Sequence, residues 1–179
     1  MGRAECENRT FIFKHIPKDA VGAEIGVWQE KFAHRLLVNT RPSDFYLIDP
    51  WAFQADRPGT FYGGWKAKKQ EHMDQIFQAV VAKFKNCPNV HILRKYSADA
   101  AKDFDEEFFD WIYIDGDHSF KGVWTDLTHY WPKMKSGGII LGDDYGIVKG
   151  VKDAVDKFRE EMPVLDFVNS GGQYWFYKP

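Results

Sequence analysis

Residues 110–127 read DWIYIDGDHSFKGVWTDL. The run Trp111–Ile114 is apolar on every side chain, as expected of a strand covered on both faces. It stops at Asp115, and Asp117 and His118 follow at once. Then Phe120, Val123 and Leu127 begin a stripe with the three-or-four spacing of a helix face, which continues to Trp131 and Met134. A strand that ends in a polar cluster and runs directly into a helix is the repeating unit of an α/β sheet.

The same alternation extends in both directions. Candidate strands are Gly22–Val27, Phe45–Asp49, Val90–Leu93, Trp111–Asp115, Ile139–Asp143, Leu165–Val168 and Tyr174–Tyr177. A second helical stripe joins Trp65, Met73, Ile76, Phe77, Val80, Val81 and Phe84. A third joins Val151, Val155, Phe158 and Met162. All three stripes read as core packing. Between the last two strands stand only Asn169, Ser170, Gly171, Gly172 and Gln173, which predicts a hairpin. The expected architecture is therefore a doubly wound, Rossmann-like α/β fold. Its seven-stranded sheet is mostly parallel and closes with a C-terminal antiparallel hairpin. Ligands of such sheets bind at the carboxyl ends of the strands.

The chain of 179 residues is 44% hydrophobic and 17% aromatic, enough for one domain, 1–179, with its own core. A net charge of -2 offers no basic field for nucleic acid or an anionic membrane. No apolar run approaches the ~20 residues that cross a bilayer. The polar start MGRAECENRT does not resemble a secretory leader. Cys6 and Cys87 lie far apart, outside metal-binding spacing, and read as free thiols of a reducing, cytoplasmic compartment. A homodimer is the base expectation for assembly.

Candidate site residues cluster at strand ends. In AEIGVWQE, Gly26 permits close backbone approach, and Glu24 is a carboxylate in an apolar strand that can receive the amino group of an amino-acid-like ligand. In FYLIDPW, Asp49 stands where an acid can accept from both hydroxyls of a ribose; capping the turn before Pro50 is its other reading. In YSADAAKDF, Ser97 and Asp99 are equally readable as contacts to an adenine edge or as helix caps. Asp115, Asp117 and His118 end one strand, and Asp143 and Asp144, in GGIILGDDY, end another. Carboxylates converging on one rim repel one another, a conflict that a bound Mg²⁺, Ca²⁺ or Mn²⁺ relieves. Helix capping by Asp117 or Ser119 and a solvated turn at Asp143 and Asp144 would explain either cluster alone; two clusters on neighbouring strand ends favour a bound metal. The loop Pro50–Gly64 carries Trp51, Phe53, Phe61 and Tyr62; a substrate lid and simple packing on the domain explain it equally well. Lys66, Lys68 and Lys69 suit a solvated helix start better than an acidic substrate.

Taken in order, these segments resemble the S-adenosylmethionine-dependent O-methyltransferases of the metal-dependent kind. Within them the likeness is to the group of macrocin-type tailoring methyltransferases and cephalosporin hydroxylase-like proteins. IDGDHSF and GDDY carry most of the resemblance, which runs from about Ala23 to Tyr145. It implies that Glu24, Gly26, Asp49, Ser97, Asp99 and Asp115 line the S-adenosylmethionine site. Asp115, Asp143 and Asp144 would hold Mg²⁺, Asp117 would be the general base and His118 its alternative. The acceptor would be a hydroxyl of a small molecule such as a sugar, diol or natural product.

Position 30 departs from the family pattern. Glu30 stands where a second glycine is usual, and a side chain there is expected to narrow the cofactor pocket or add charge to it. The short stretch before the first strand predicts an open active site, or one completed by a second subunit. Two other functions use parts of the same residues. A metal-dependent hydrolase needs the aspartates but not Glu24, Gly26 or Asp49, and a non-catalytic cofactor-binding protein needs no base. A nicotinamide-binding domain lacks its G-x-G-x-x-G after the first strand.

Overall fold

The computed structural model describes residues 10–179. Cys6 and the polar N-terminal stretch before Thr10 lie outside the described residues, and Cys87 is a free thiol. The strands are β1 (Val21–Ile25), β2 (Asp44–Asp49), β3 (Val90–Arg94), β4 (Phe109–Ile114), β5 (Met134–Gly142), β6 (Leu165–Ser170) and β7 (Gln173–Tyr177). The long helices are α1 (Glu30–Thr40), α2 (Gln70–Phe84), α3 (Phe120–Tyr130) and α4 (Lys149–Glu161). All seven strands form one sheet in the order β3-β2-β1-β4-β5-β7-β6. Pairings from β3 through to β5 are parallel, and both pairings of β7 are antiparallel.

This is the expected doubly wound sheet, with one refinement at the hairpin. β7 returns between β5 and β6, so the last strand is interior and β6 forms the edge. Side-chain character explains the order: QYWFY is buried along nearly its whole length, whereas LDFVNS is mostly exposed. The turn uses Gly171 and Gly172, both at positive φ (58° and 83°), as a two-residue hairpin requires.

Two apolar clusters cover the sheet. Trp111, Tyr113, Phe45 and Leu47 face a layer made by α1, α2 and the Thr10–His15 turn. Ile112, Ile114, Ile140 and Phe176 face α3 and α4. Alternate residues of β4 thus serve opposite layers, which is why its sequence shows no polar face.

Three residues leave the stripes predicted for them. Trp65 is 62% exposed and belongs to a separate turn, Phe61–Trp65, because Gly63 and Gly64 break helical geometry before α2 starts. Phe120 is half-exposed and stacks on Trp124. Met134 opens β5 rather than closing α3; the irregularity between Phe109 and Trp111 lets the strand start five residues before Ile139. Among the described residues, no helix is long and apolar enough to cross a membrane.

The chain leaves β1 for β2 and β3 on one side and returns to β4 and β5 on the other. β1 and β4 are therefore the switch point, where such sheets open a crevice. Gly26 sits there with φ of +88°, and a Cβ on it would lie 2.2 Å from the Asp115 carbonyl oxygen. The Asp115 amide donates to Ile25 O (2.8 Å) and the Gly26 amide to Ile48 O (2.9 Å). Gly26 lets three strand ends close upon one another.

Candidate active site

A cleft of about 1460 Å³ opens at this switch point, larger than one ordinary ligand needs. Eight carboxylates border it, against the cations Lys31, Arg57 and Lys121 and the imidazole of His118. That balance favours a ligand carrying positive charge.

Glu24 and Asp49 are each 1% exposed at the floor of the cleft. Asp49 accepts from the backbone amides of Trp28 (2.9 Å, on Oδ2) and Trp51 (2.7 Å, on Oδ1), and from the hydroxyl of Tyr62 on Oδ2. Burial raises its pKa, while these donors and the Val27 amide act against the rise. Tyr62 comes from the aromatic loop. Burial, then the charges of Asp49, Asp115 and Glu24, raise its pKa, so the phenol stays protonated and donates to Asp49.

The loop has a packed root and a tip over the cleft. Trp51 is fully buried and its indole donates to Trp28 O (3.0 Å). Phe61 and Tyr62 pack on Trp28, and Arg57 reaches across to Asp117 (2.6 Å). Part of this segment therefore packs on the domain and part of it lines the cleft. Tyr62 and Arg57 carried no individual signal in the sequence, because only the folded loop brings them to the strand ends.

At the rim, His118 lies between Asp115 (3.2 Å) and Asp144 (3.3 Å). The hydrogen bond to Asp115, then the charges of Asp115, Asp144 and Asp143, hold its pKa above the usual imidazole value against the effect of burial. Asp115, His118 and Asp144 each present a donor atom within 4.8 Å of the others, a set suited to a divalent cation. Asp143, the third carboxylate of the expected ligand set, lines the same cleft; it is 6% exposed and accepts from the Gln173 side chain.

Asp117 lines the cleft and is engaged with Arg57, and its Oδ1 also accepts from the Ser119 amide (3.0 Å). Burial would push its pKa up, but the Ser119 amide and Arg57 prevail and the carboxyl lies below its usual range. Ser119 itself caps α3, accepting from the Gly122 amide at 3.1 Å.

Ser97 borders the cleft, whereas Asp99 points to solvent and pairs with Lys102 (2.7 Å). Glu30 does not line the cleft; it borders a separate shallow groove with Lys66 and His72. Glu30, the first residue of α1, therefore does not narrow the cleft as expected. Lys66 lies over the exposed Trp65 ring and Lys69 pairs with Glu71, as a solvated helix approach would have it.

A family model described as a methyltransferase domain matches residues 23–145. The chain belongs to this methyltransferase family. The match includes the ends of β1, β2, β4 and β5, and thus every strand end that carries a carboxylate of the cleft. A 65-residue stretch of the methyltransferase is 35% identical to demethyldecarbamoylnovobiocin O-methyltransferase of Streptomyces niveus. That stretch spans 35% of this chain and 24% of the relative. Among solved structures, the O-methyltransferase NovP superposes with a TM-score of 0.66 at 20% identity, over 99% of this chain and 80% of that one. The SAH-bound methyltransferase PaMTH1 of Podospora anserina gives 0.66 at 16%, over 100% and 80%. The N-methyltransferase NodS of Bradyrhizobium japonicum gives 0.65 at 14%, over 99% and 96%. At such identities the structures establish the shared fold, which serves both oxygen and nitrogen acceptors.

Sequence reasoning also passed over Asp126. It is 3% exposed on the inner face of α3 and accepts from Ser97 Oγ (2.5 Å). Burial drives its pKa up to about 7, with the Ser97 hydrogen bond opposing and the Asp117 charge adding. The signal was present, since Asp126 lies three residues after Val123 and four before Tyr130, on the buried stripe.

The consequence for stability has a definite sign. In the unfolded chain the group ionises near pH 4 (about 3.9), so between there and about 7 the folded state holds a proton that the unfolded state has lost. Stabilisation present below pH 4 is lost as pH rises to 7. Asp126→Asn, which cannot ionise, is expected to melt several degrees higher than the parent at pH 8 and at the same temperature near pH 4. Thermal melts at the two pH values check this, and equal melting temperatures at pH 8 would contradict it.

Proposed function

We propose that this methyltransferase moves the methyl group of S-adenosylmethionine to a hydroxyl of a small molecule, assisted by a divalent cation, Mg²⁺ by preference. The observation that carries the reading is the arrangement of Glu24, Asp49 and Asp115 around one cleft at the β1–β4 switch point. These carboxylates, two of them buried, suit a cofactor with an ammonium group, a ribose diol and a sulfonium. The O-methyltransferase relative supports a hydroxyl acceptor.

S-adenosylmethionine supplies a methyl group on a positively charged sulfur, which a nucleophile displaces directly. Glu24 would receive the amino group and Asp49 the ribose hydroxyls. Asp115, His118 and Asp144 would hold the cation, whose Lewis acidity lowers the pKa of a bound hydroxyl. Asp117 would accept the hydroxyl proton as the new O–C bond forms and the C–S bond breaks, once it is released from Arg57.

An ionised carboxylate offers about four acceptor positions, and Asp49 already accepts from two backbone amides and the Tyr62 hydroxyl. The two hydroxyls of a ribose diol then need one position more than remains, and Tyr62 is the side-chain donor among these three. Tyr62→Phe is therefore expected to tighten S-adenosylhomocysteine binding about tenfold, the worth of one hydrogen bond to a charged group. Calorimetry on both proteins measures it. Weaker binding by the variant would mean that Tyr62 contacts the ligand rather than yielding to it.

The reading itself is tested by calorimetric titration with S-adenosylmethionine, with Mg²⁺ and then with chelator, followed by a methyl-transfer assay on sugars and vicinal diols. Micromolar binding with transfer supports it. Binding without transfer to any acceptor favours a non-catalytic cofactor-binding protein, and no binding in either condition overturns it.

A further inference from the structure

The aromatic loop holds two strand ends of the cleft at once. Tyr62 donates its hydroxyl to Asp49 Oδ2 (2.5 Å), and Arg57 pairs with Asp117 Oδ2 (2.6 Å). Asp49 ends β2, Asp117 follows β4, and β1 stands between those strands. One segment thus ties together the two sides of the switch point.

The segment is closed on itself. The Gln54 amide donates to Tyr62 O (2.9 Å) and the Arg57 amide to Gln54 O (3.0 Å). The amide and hydroxyl of Thr60 both donate to Arg57 O (3.3 and 2.9 Å). Arg57 O also lies against Gly63, where an added Cβ would stand 1.8 Å from it. Backbone joined this closely carries a displacement of Tyr62 over to Arg57. The root of the segment is fixed, because Gln70 of α2 donates to Trp51 O (3.0 Å) and accepts from the Phe53 amide (2.9 Å). Its tip is not packed in the same way. Residues 55–60 are all exposed, and a Cβ on Gly59 would meet nothing within 4 Å.

Both contacts occupy groups that the reaction needs. Asp49 must yield an acceptor position to a ribose diol, and Asp117 must leave Arg57 to take a proton. Arg57 helps to hold the Asp117 carboxyl below its usual range, so the paired acid is the weaker base.

We propose that residues 54–63 act as one clasp: a ribose that displaces Tyr62 from Asp49 also draws Arg57 away from Asp117, so that cofactor binding frees the base. The inference rests on the S-adenosylmethionine reading and adds the order of events, methyl donor first and base second. Arg57 is a positioning residue, acting through Asp117. A ligand that must open the clasp spends part of its binding energy on opening it. By linkage, a change that opens the clasp tightens the ligand by the same factor as the ligand opens the clasp.

The experiment is calorimetry of S-adenosylhomocysteine on the full chain, comparing wild type, Arg57→Ala, Asp117→Asn and the double variant. Asparagine can still accept from the Ser119 amide, so Asp117→Asn keeps the turn. Each single variant is expected to bind about threefold more tightly, the worth of a half-exposed ion pair. The double variant is expected to match either single, because the same pair is already broken. Arg57→Lys, which can keep the pair, should stay near wild type. The two single replacements change charge in opposite directions, so a simple field effect would move them oppositely, whereas the clasp moves both the same way. Unchanged affinity in both singles, shifts of opposite sign, or weaker binding in both overturns the proposal. A double variant that gains about ninefold would mean that the residues act separately, and overturns it too. Unchanged singles beside a tighter Tyr62→Phe would show that Tyr62 yields alone, leaving the cofactor reading intact. Failure of the wild-type protein to bind refutes that reading itself, and so is distinct from the others.

Discussion

Asp144→Ala is expected to lower the turnover of methyl transfer by more than about a hundredfold while leaving the affinity for S-adenosylhomocysteine within about threefold, and Asp115→Ala, which also removes a carboxylate of the proposed cofactor site, is expected to lower turnover at least as much. Loss of a residue that merely orients a metal ligand costs about ten- to a hundredfold, and loss of a ligand itself should exceed that. Both residues contribute a donor atom to the three-residue set at the rim. Asp143→Ala separates this expectation from a general effect of removing acids. Asp143 is buried against Gln173, which hydrogen-bonds Tyr113 (2.7 Å), so its replacement should lower the melting temperature rather than remove the cation site. Steady-state kinetics with and without Mg²⁺, set beside binding isotherms, distinguishes the two behaviours. Wild-type turnover in Asp115→Ala would exclude cation assistance by this set.

Gly26→Ala is expected to destabilise the protein by about 3 kcal/mol or more, through backbone geometry rather than lost chemistry. An L-residue disfavours a φ of +88°, and the new Cβ would meet backbone atoms of Asp115 and Gly116 at 2.2–2.5 Å. Backbone on both sides cannot swing away as a flexible side chain would. The damage falls on the junction of β1 and β4, so the cleft should deform as the domain weakens. For a chain of this size the loss corresponds to roughly 6–12 °C in melting temperature. Thermal and urea unfolding measure it, and a variant that melts within two degrees of the parent would show that the strand ends can separate freely.

Much of this was legible along the chain. The sheet, its strands and the places where carboxylates gather follow from periodicity, because local residue patterns record which faces are covered. Glu24, Gly26, Asp49, Ser97, Asp115, Asp117, His118, Asp143 and Asp144 all border the cleft, as residues at strand ends do in a doubly wound fold. Asp99 shows the limit of that reasoning, since a one-turn helix can aim two nearby residues, Ser97 and Asp99, in different directions.

The sequence by itself determined the fold class and the rim on which the chemistry is placed. Hydrophobic spacing and strand-terminal acids are local properties, and the chain carries them before it folds. Only the tertiary structure decided how those acids are partnered. Tyr62 lies 13 residues from Asp49, Arg57 lies 60 from Asp117, Ser97 lies 29 from Asp126 and Gln173 lies 30 from Asp143. Whether a carboxylate holds a cation or takes a proton depends on which groups stand within about 3 Å of it. Contacts between distant segments settle that, and no local pattern in the chain records them.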